Sequence, residues 1–205
     1  MASNPLDEDA RRVLEERRAK AYHFLWTQIV WLHAEWEQFR KLFAESPAVI
    51  DTLNHTAPAF FVLLKDIMWD HVLLSISRLT DPAKQGSHEN LTVHSLPALT
   101  RDDEIFGHTL AGLIEKRSST WDFARRRRDK HIAHLDRDAA LTTAISLGSR
   151  NDVEGALAAF REIMSTFHDR FFGETDLRFK KHHMGGDASR LLDVLRLGLD
   201  REEAE

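Results

Sequence analysis

The sequence contains no cysteine among its 205 residues. Disulfide bonds, thiolate nucleophiles and cysteine-based zinc sites are therefore excluded. A chain without cysteine also fits a reducing compartment. Glycine and proline are scarce, with nine and five residues, and most of them fall between segments of helical periodicity. These absences favour a helical protein that folds on its hydrophobic core alone, because a chain of this length buries enough apolar surface.

Long apolar runs and an export signal are missing as well. Residues 1–20 carry many charged side chains and lack the apolar stretch of a signal peptide. The apolar run from Ala57 to Leu64 is far shorter than the ~20 residues that a membrane-spanning helix needs. We therefore expect a cytoplasmic protein with no membrane partner. Because the net charge is −5, a nucleic-acid site would have to be a local basic patch.

Apolar residues at helical spacing define the fold class. Five segments repeat apolar residues every three or four positions, the period of one helix face: 6–45, 56–79, 103–135, about 151–172, and a last helix capped by Asp187. We predict an all-α fold, an antiparallel bundle of four to five main helices forming a single domain over residues 1–205. Residues 1–20 would start a charged N-terminal helix. Residues 187–205 would form a C-terminal helix with a frayed acidic tail.

Capping residues and prolines place several helix boundaries. Pro47 is predicted to end the first helix or to start a short second one. Thr56 is predicted to cap the next helix, with Pro58 in its first turn. This helix is apolar on nearly all sides up to Leu79, which predicts that it is the central buried helix.

The segments between the long helices are expected to be short or irregular. Residues 83–90 are polar and predict an exposed loop, and residues 91–99 predict one or two helical turns. Residues 141–147 alone have strand character. Asn151 or Asp152 is predicted to cap the fourth long helix.

The most basic part of the chain lies between Lys116 and Arg137. It has eight lysines or arginines against three aspartates, so five positive charges are in excess. Its centre is a run of four arginines at 125–128. Successive helical residues turn by about 100°, so four in a row spread around the helix and at least one must face the protein or a partner. Such an arginine needs a carboxylate, another anion or a solvated cleft.

Two histidines, His131 and His134, follow this run. Arginine can hold phosphate oxygens with two parallel hydrogen bonds, and histidine can move a proton near neutral pH. The combination fits phosphodiester chemistry on RNA. The alternative is a solvated basic face that pairs with acids of neighbouring helices. On a straight helix, Arg127 shares a face with both histidines, whereas Arg128 and His134 lie about 120° apart.

The run from Arg128 to His134, RDKHIAH, resembles the signature of the HEPN superfamily. That signature is an arginine, a polar residue directly after it, and a histidine further along. The wider order of features is similar to the HEPN-like branch of bacterial abortive-infection (AbiU-type) proteins. A first helix rich in tryptophan and phenylalanine precedes Arg-Leu-Thr-Asp at 78–81 and then the basic helix. The resemblance covers roughly residues 22–136.

The resemblance implies an all-α, two-fold dimer in which the signature helices meet at a shared cleft. Many members are metal-independent endoribonucleases, often toxins or antiviral effectors, and others only bind RNA or nucleotides. Carried onto this chain, Arg128 would hold the phosphate, His134 would be the acid and base, and Asp129 would orient them. His131 and Arg127 are the close alternatives.

Members that pair with a nucleotidyltransferase antitoxin often have a tyrosine two residues after the histidine. This chain has Asp136 there, so control through such a tyrosine is not expected, and the sequence does not identify an antitoxin. No cofactor and no metal site are predicted. His131 and His134 have the spacing of a metal pair, but the flanking arginines disfavour a cation.

The other basic side chains are predicted to contact an RNA backbone through their charge. They are Arg125, Arg126 and Lys130 beside the signature, and Arg178, Lys180 and Lys181 in a second basic stretch. That second stretch has the alternative of a mobile loop. Three functions stay open: a ribonuclease, a module that binds RNA or a nucleotide without cleavage, and a structural helical dimer.

Arg78 and Asp81 close the second long helix. One interpretation is a C-terminal helix cap with an intramolecular ion pair. The other places one of them beside the signature helix, as support for its arginines.

Overall fold

The computed structural model describes residues 8–132, 148–173, 185–202 and 204. These ranges contain the helices α1 Glu8–Phe43, α2 Pro47–Thr56, α3 Pro58–Leu79, α4 Glu104–Arg117, α5 Asp122–Arg127, α6 Arg150–Phe171 and α7 Ala188–Glu202. They also contain an antiparallel hairpin of β1 Lys84–Gln85 and β2 His88–Glu89, short 3-10 helices at Val93–Leu99 and Ser118–Thr120, and a π-helical turn at Arg128–Ile132. The predicted all-α class is confirmed.

Helix boundaries follow local capping signals. Pro47 is the first residue of α2, and the side chain of Ser46 accepts a backbone N–H of its first turn. Pro58 begins α3, as predicted. The prediction for Thr56 is wrong, because Thr56 is the last residue of α2 and its hydroxyl donates to the carbonyl of Thr52 at 2.8 Å. Its hydroxyl therefore serves the preceding helix.

The N-terminus of α6 lies slightly earlier than predicted. Ser149, and not Asn151 or Asp152, is the capping residue. The Ser149 hydroxyl accepts the N–H of Asp152 at 3.2 Å, and the Asp152 carboxylate accepts the N–H of Ser149 at 2.7 Å. This reciprocal pair is a capping box, so Asp152 takes part from inside the helix.

The single long helix predicted for 103–135 is interrupted. Helix α4 ends at Arg117, and a short 3-10 helix, Ser118–Thr120, precedes α5. Serine and threonine favour such breaks because their hydroxyls compete for backbone groups. The Thr120 hydroxyl donates to the Arg117 carbonyl at 2.7 Å. After the break, Trp121 is fully buried and stacks on Phe160 with ring centroids 5.9 Å apart.

The segment 83–90, predicted as a loop, contains the small hairpin, and both strands are exposed. Residues 93–99 form the predicted short helical turns. The strand character of 141–147 falls outside the described residues.

The chain divides into two compact units, Met1–Ile29 with Leu73–Leu177 and Val30–Val72 with Arg178–Glu205. The single-domain interpretation stays a prediction. The core of the first unit consists of fully buried aromatic and aliphatic side chains: Leu25, Ile29, Leu73, Ile76, Leu96, Leu110, Trp121, Phe160, Ile163 and Phe167.

A buried arginine ties together three parts of the first unit. Arg18 of α1 is only 5% exposed, and its guanidinium lies 3.7 Å from the ring centroid of Phe171. Its Nε and Nη2 donate to the carbonyl of Leu99 at 3.1 and 3.0 Å, and it forms an ion pair with Asp102. A buried arginine is tolerated here because its charge is paired and its donors are used.

In the second unit, helix α7 is anchored at its N-terminus. As predicted, Asp187 caps it, accepting the N–H groups of Ser189 and Arg190 at 3.0 and 3.3 Å. Lys41 of α1 donates to the Asp187 carboxylate at 2.6 Å. Ala188 and Leu192 of α7 pack in one cluster with Leu42, Val49, Leu53 and Phe61.

Helix α3 differs from its prediction as a central buried helix. In its first half, Phe60, Val62, Leu63 and Ile67 are each more than half exposed. A helix buries only the faces that meet its neighbours, and apolar composition alone does not say which faces those are.

The described residues contain no helix long and apolar enough to cross a membrane.

Candidate functional site

The turn after α3 is fixed by threonine hydroxyls in the first unit. Thr80 is fully buried, and its hydroxyl donates to the carbonyls of Ile76 and Ser77 at 2.9 and 3.1 Å. The Thr92 hydroxyl donates to the carbonyl of Asp81 at 2.8 Å. Because the end of a helix leaves carbonyl groups without partners and carries partial negative charge, this turn attracts cations.

Two arginines of the basic segment bind this turn. Arg125 Nη2 donates to the Thr80 carbonyl at 2.6 Å. Arg128 Nη1 donates to Asp81 Oδ1 at 2.5 Å, and both of these side chains are 23% exposed. The two arginines are three positions apart, so they lie on one side of the helix. As expected for four consecutive arginines, part of the run faces the protein.

The neighbouring charged side chains differ in their exposure. Arg126 and Lys130 are exposed, and Arg127 is half-buried. Asp129 is exposed, but its carboxylate accepts a hydrogen bond of 2.8 Å from Arg128 Nε. Arg128 therefore lies between two carboxylates, from Asp81 and Asp129.

The backbone changes its winding at Arg128. Helix α5 ends at Arg127, and Arg128–Ile132 form a π-helical turn. In such a turn the hydrogen bonds span five residues, and π turns are frequent at functional sites. The angles calculated for a straight α-helix therefore do not apply beyond Arg128. This removes the geometric argument that favoured Arg127 over Arg128.

The pKa of Arg128 reflects this setting. Burial lowers the pKa, but the hydrogen bonds to Asp129 and Asp81 outweigh burial and hold it above its ordinary value. Arg128 therefore carries a permanent positive charge, and its guanidinium is hydrogen-bonded to Asp81 and Asp129.

His94 was not a candidate from the sequence, yet it lies near Trp121 and Arg125. Its half-buried ring meets Trp121 edge to face, with centroids 6.1 Å apart. Burial lowers its pKa, Arg125 lowers it further, and Glu115 acts in the opposite direction. Both burial and the charge of Arg125 thus favour the uncharged imidazole of His94. A lone histidine in a short helical segment gives no sequence signal for this position.

The intramolecular ion pair predicted at the end of α3 is present, and its acidic partner is Asp81. Asp81 pairs with Arg128, 47 positions along the chain, while Arg78 is exposed. The alternative, a residue of this turn beside the signature helix, describes Asp81 correctly.

Several predicted site residues lie outside the described residues. They are His134, Arg178, Lys180 and Lys181, together with the side chain of His131. In the parts of the chain that the structure describes, no three histidine, aspartate or glutamate side chains form a group that could hold a metal ion.

A comparison with known protein families gives a match over most of the chain. The HEPN_AbiU2 family model, described as AbiU2, matches residues 15–191, which is well over half of the chain. No curated protein and no solved structure matches the chain. The matched region contains the buried arginine of α1, the turn after α3, the four arginines and the RDKHIAH run. The chain therefore belongs to the AbiU2 family of HEPN proteins.

Proposed function

We propose that this protein is a metal-independent endoribonuclease of the HEPN type, acting on RNA in the cytoplasm as a homodimer. The observation that carries the proposal is the placement of Arg128. Arg128 is the first residue of the signature and of the π turn. Its guanidinium donates hydrogen bonds to the carboxylates of Asp129 and Asp81. A phosphate offers paired oxygens like those of a carboxylate, so an arginine held this way is suited to bind one.

In this mechanism Arg128 donates to the non-bridging oxygens of the scissile phosphate and stabilises their charge in the transition state. His134 takes the proton of the ribose 2′-hydroxyl, whose oxygen attacks phosphorus and displaces the 5′-oxygen of the next nucleotide. His131, or the partner subunit's His134, donates a proton to that leaving oxygen. The products are a 2′,3′-cyclic phosphate and a 5′-hydroxyl.

The remaining basic residues hold the RNA backbone. Arg126 and Lys130 are exposed and carry the positive charge that attracts phosphates. Arg178, Lys180 and Lys181 are proposed to contact the RNA backbone as well, through their positive charge. Arg127 is the second candidate for the phosphate contact.

Total RNA incubated with the purified protein in EDTA tests the proposal. Wild-type protein should produce fragments with cyclic-phosphate ends, and His134→Ala should produce none. Arg128→Ala should lower the cleavage rate at least 100-fold, the scale typical of losing a donor to a developing charge. Arg17→Ala, which removes an exposed arginine from α1, is the control and should cleave normally.

The same assay separates the two candidate arginines. Loss of cleavage in Arg127→Ala but not in Arg128→Ala would move the phosphate contact to Arg127. Cleavage that needs an added divalent cation, or that survives His134→Ala, would contradict the proposed mechanism.

A module that binds RNA without cutting it is the second candidate function. The exposed charges of Arg126 and Lys130 favour it, because they serve binding whether or not a histidine acts. This function predicts intact RNA after incubation and an affinity that falls steeply with salt. A structural role predicts that His134→Ala changes thermal stability alone.

We further propose that cleavage serves abortive infection or a toxin function. Induced expression of the wild-type chain in a bacterium should then slow growth, whereas the same level of His134→Ala should not. Equal growth of the two strains would argue against this role. Analytical ultracentrifugation tests the dimer, which should have twice the mass of the chain.

A further inference from the structure

The Arg128 guanidinium presents two hydrogen-bonding edges, Nε with Nη2 and Nη1 with Nη2. Asp129 accepts from Nε at 2.8 Å, and Asp81 accepts from Nη1 at 2.5 Å. Asp129 therefore occupies one donor of the Nε–Nη2 edge, and Asp81 is bonded to Nη1. A phosphate that binds the Nε–Nη2 edge through two parallel hydrogen bonds must displace Asp129.

The two aspartates differ in how firmly they are held. Asp81 is 23% exposed and follows α3 in a turn whose backbone accepts hydrogen bonds from Thr92 and Arg125. The Asp129 side chain is 53% exposed and adjoins Arg128 in the π turn. An exposed ion pair contributes at most about 1 kcal/mol, because water competes for both charges. Asp129 is therefore the easier carboxylate to displace.

We propose that Asp81 is a positioning residue that holds Arg128 through Nη1, and that Asp129 leaves the Nε–Nη2 edge when an RNA phosphate binds there. This inference rests on the RNA-binding part of the proposed function. It gives Asp129 a role different from the orienting one that the family resemblance implies. In the free protein, Asp129 fills the position that the phosphate takes.

Binding of a 2′-O-methyl RNA oligonucleotide tests these roles, because this RNA has no free 2′-hydroxyl and cannot be cleaved through it. Fluorescence anisotropy at one salt concentration gives the dissociation constants of Asp81→Asn, Asp129→Asn and Asp122→Asn. Each variant removes one negative charge from the same region. Asp122 is exposed in the first turn of α5 and serves as the baseline for the change in net charge.

Relative to Asp122→Asn, we expect Asp81→Asn to bind about tenfold more weakly, the effect of losing one charged hydrogen bond. We expect Asp129→Asn to bind about threefold more tightly, because no carboxylate competes with the phosphate. A change in net charge alone cannot move two variants of equal charge in opposite directions.

Two results would overturn the inference: Asp81→Asn binding at least as tightly as Asp122→Asn, or Asp129→Asn binding more weakly than it. If circular dichroism shows that Asp81→Asn does not fold, Asp81→Glu replaces it. The RNA affinity of Asp81→Glu is then compared with that of wild-type protein at several salt concentrations. Because the longer carboxylate misplaces Arg128, its affinity should lie below that of wild-type protein at every salt concentration, and equal affinity would overturn the inference.

The outcome also separates this inference from the proposed catalysis. Wild-type protein that binds the modified RNA with these variant effects, yet leaves natural RNA intact, supports the positioning roles and contradicts the ribonuclease. Wild-type protein that binds no RNA overturns both.

Discussion

Arg125 donates a hydrogen bond of 2.6 Å to the carbonyl oxygen of Thr80, the residue that follows helix α3. The contact joins two parts of the chain 45 positions apart. Arg125 is half-buried, whereas Arg126 is exposed. Neighbouring identical residues thus have different surroundings, and we expect the Arg125 contact to stabilise the fold.

Arg125→Ala should therefore lower the free energy of unfolding by about 1–2 kcal/mol, because the Thr80 carbonyl loses a charged donor. Arg126→Ala should change it by less than about 0.5 kcal/mol, as is usual for exposed positions. Urea denaturation of both variants measures the difference. Equal stability of the two variants would show that the Arg125 contact is not stabilising.

Arg18→Ala should be among the more damaging single substitutions. It removes the stacking on Phe171 and the bonds to the Leu99 carbonyl, and it leaves Asp102 without its partner. We expect a loss of about 3 kcal/mol in the free energy of unfolding. Arg17→Ala, an exposed neighbour, is the matched control. A similar melting temperature for both variants would contradict the buried role of Arg18.

Two helical glycines should respond oppositely to alanine. A Cβ at Gly107 of α4 would lie 2.3 Å from the Thr100 hydroxyl oxygen, which is buried and bonded to the Pro97 carbonyl. Gly107→Ala should therefore destabilise the protein by about 2 kcal/mol. A Cβ at Gly155 of α6 would meet nothing within 4 Å, so Gly155→Ala should stabilise it by about 0.5 kcal/mol. Thermal unfolding checks both signs, and a stabilising Gly107→Ala would be inconsistent with the close approach to Thr100.

Stability should fall as the pH is lowered from about 7.5 to 5.5, in part because of His94. Burial and Arg125 lower the pKa of His94 in the folded state. The unfolded chain therefore binds more protons than the folded chain as the pH passes below the ordinary pKa, about 6.5. His94→Gln should flatten the dependence of the melting temperature on pH over this range. His108→Gln, at an exposed position of α4, should leave it unchanged, and a His94→Gln profile parallel to wild type would contradict this assignment.

Helix positions were predictable where their signals are local. Pro47 and Asp187 act on backbone groups within a few residues, so their identities were enough to place α2 and α7. The α3 prediction failed because burial depends on which neighbours meet a helix. Phe60 and Ile67 are as apolar as the buried Phe61, yet they lie at the surface.

Part of the candidate site was predictable because its signal is also local in the sequence. The RDKHIAH run makes Arg128 a candidate because the family signature is continuous in sequence, and its role in binding phosphate stays a prediction. Its contact with Asp81 spans 47 positions, and the π turn that begins at Arg128 leaves no composition signal. The buried setting of His94 likewise arises from tertiary packing against Trp121. Such features follow from how distant segments meet.

The different surroundings of the four arginines affect which substitutions each position can accept. A lysine provides charge but lacks the planar fork of donors, so it can replace Arg126, where charge alone is proposed to matter. At Arg128, a single ammonium cannot reproduce the two hydrogen bonds that the guanidinium donates to Asp81 and Asp129. Functional variants of this protein should therefore tolerate a lysine at the second of the four positions and reject it at the last.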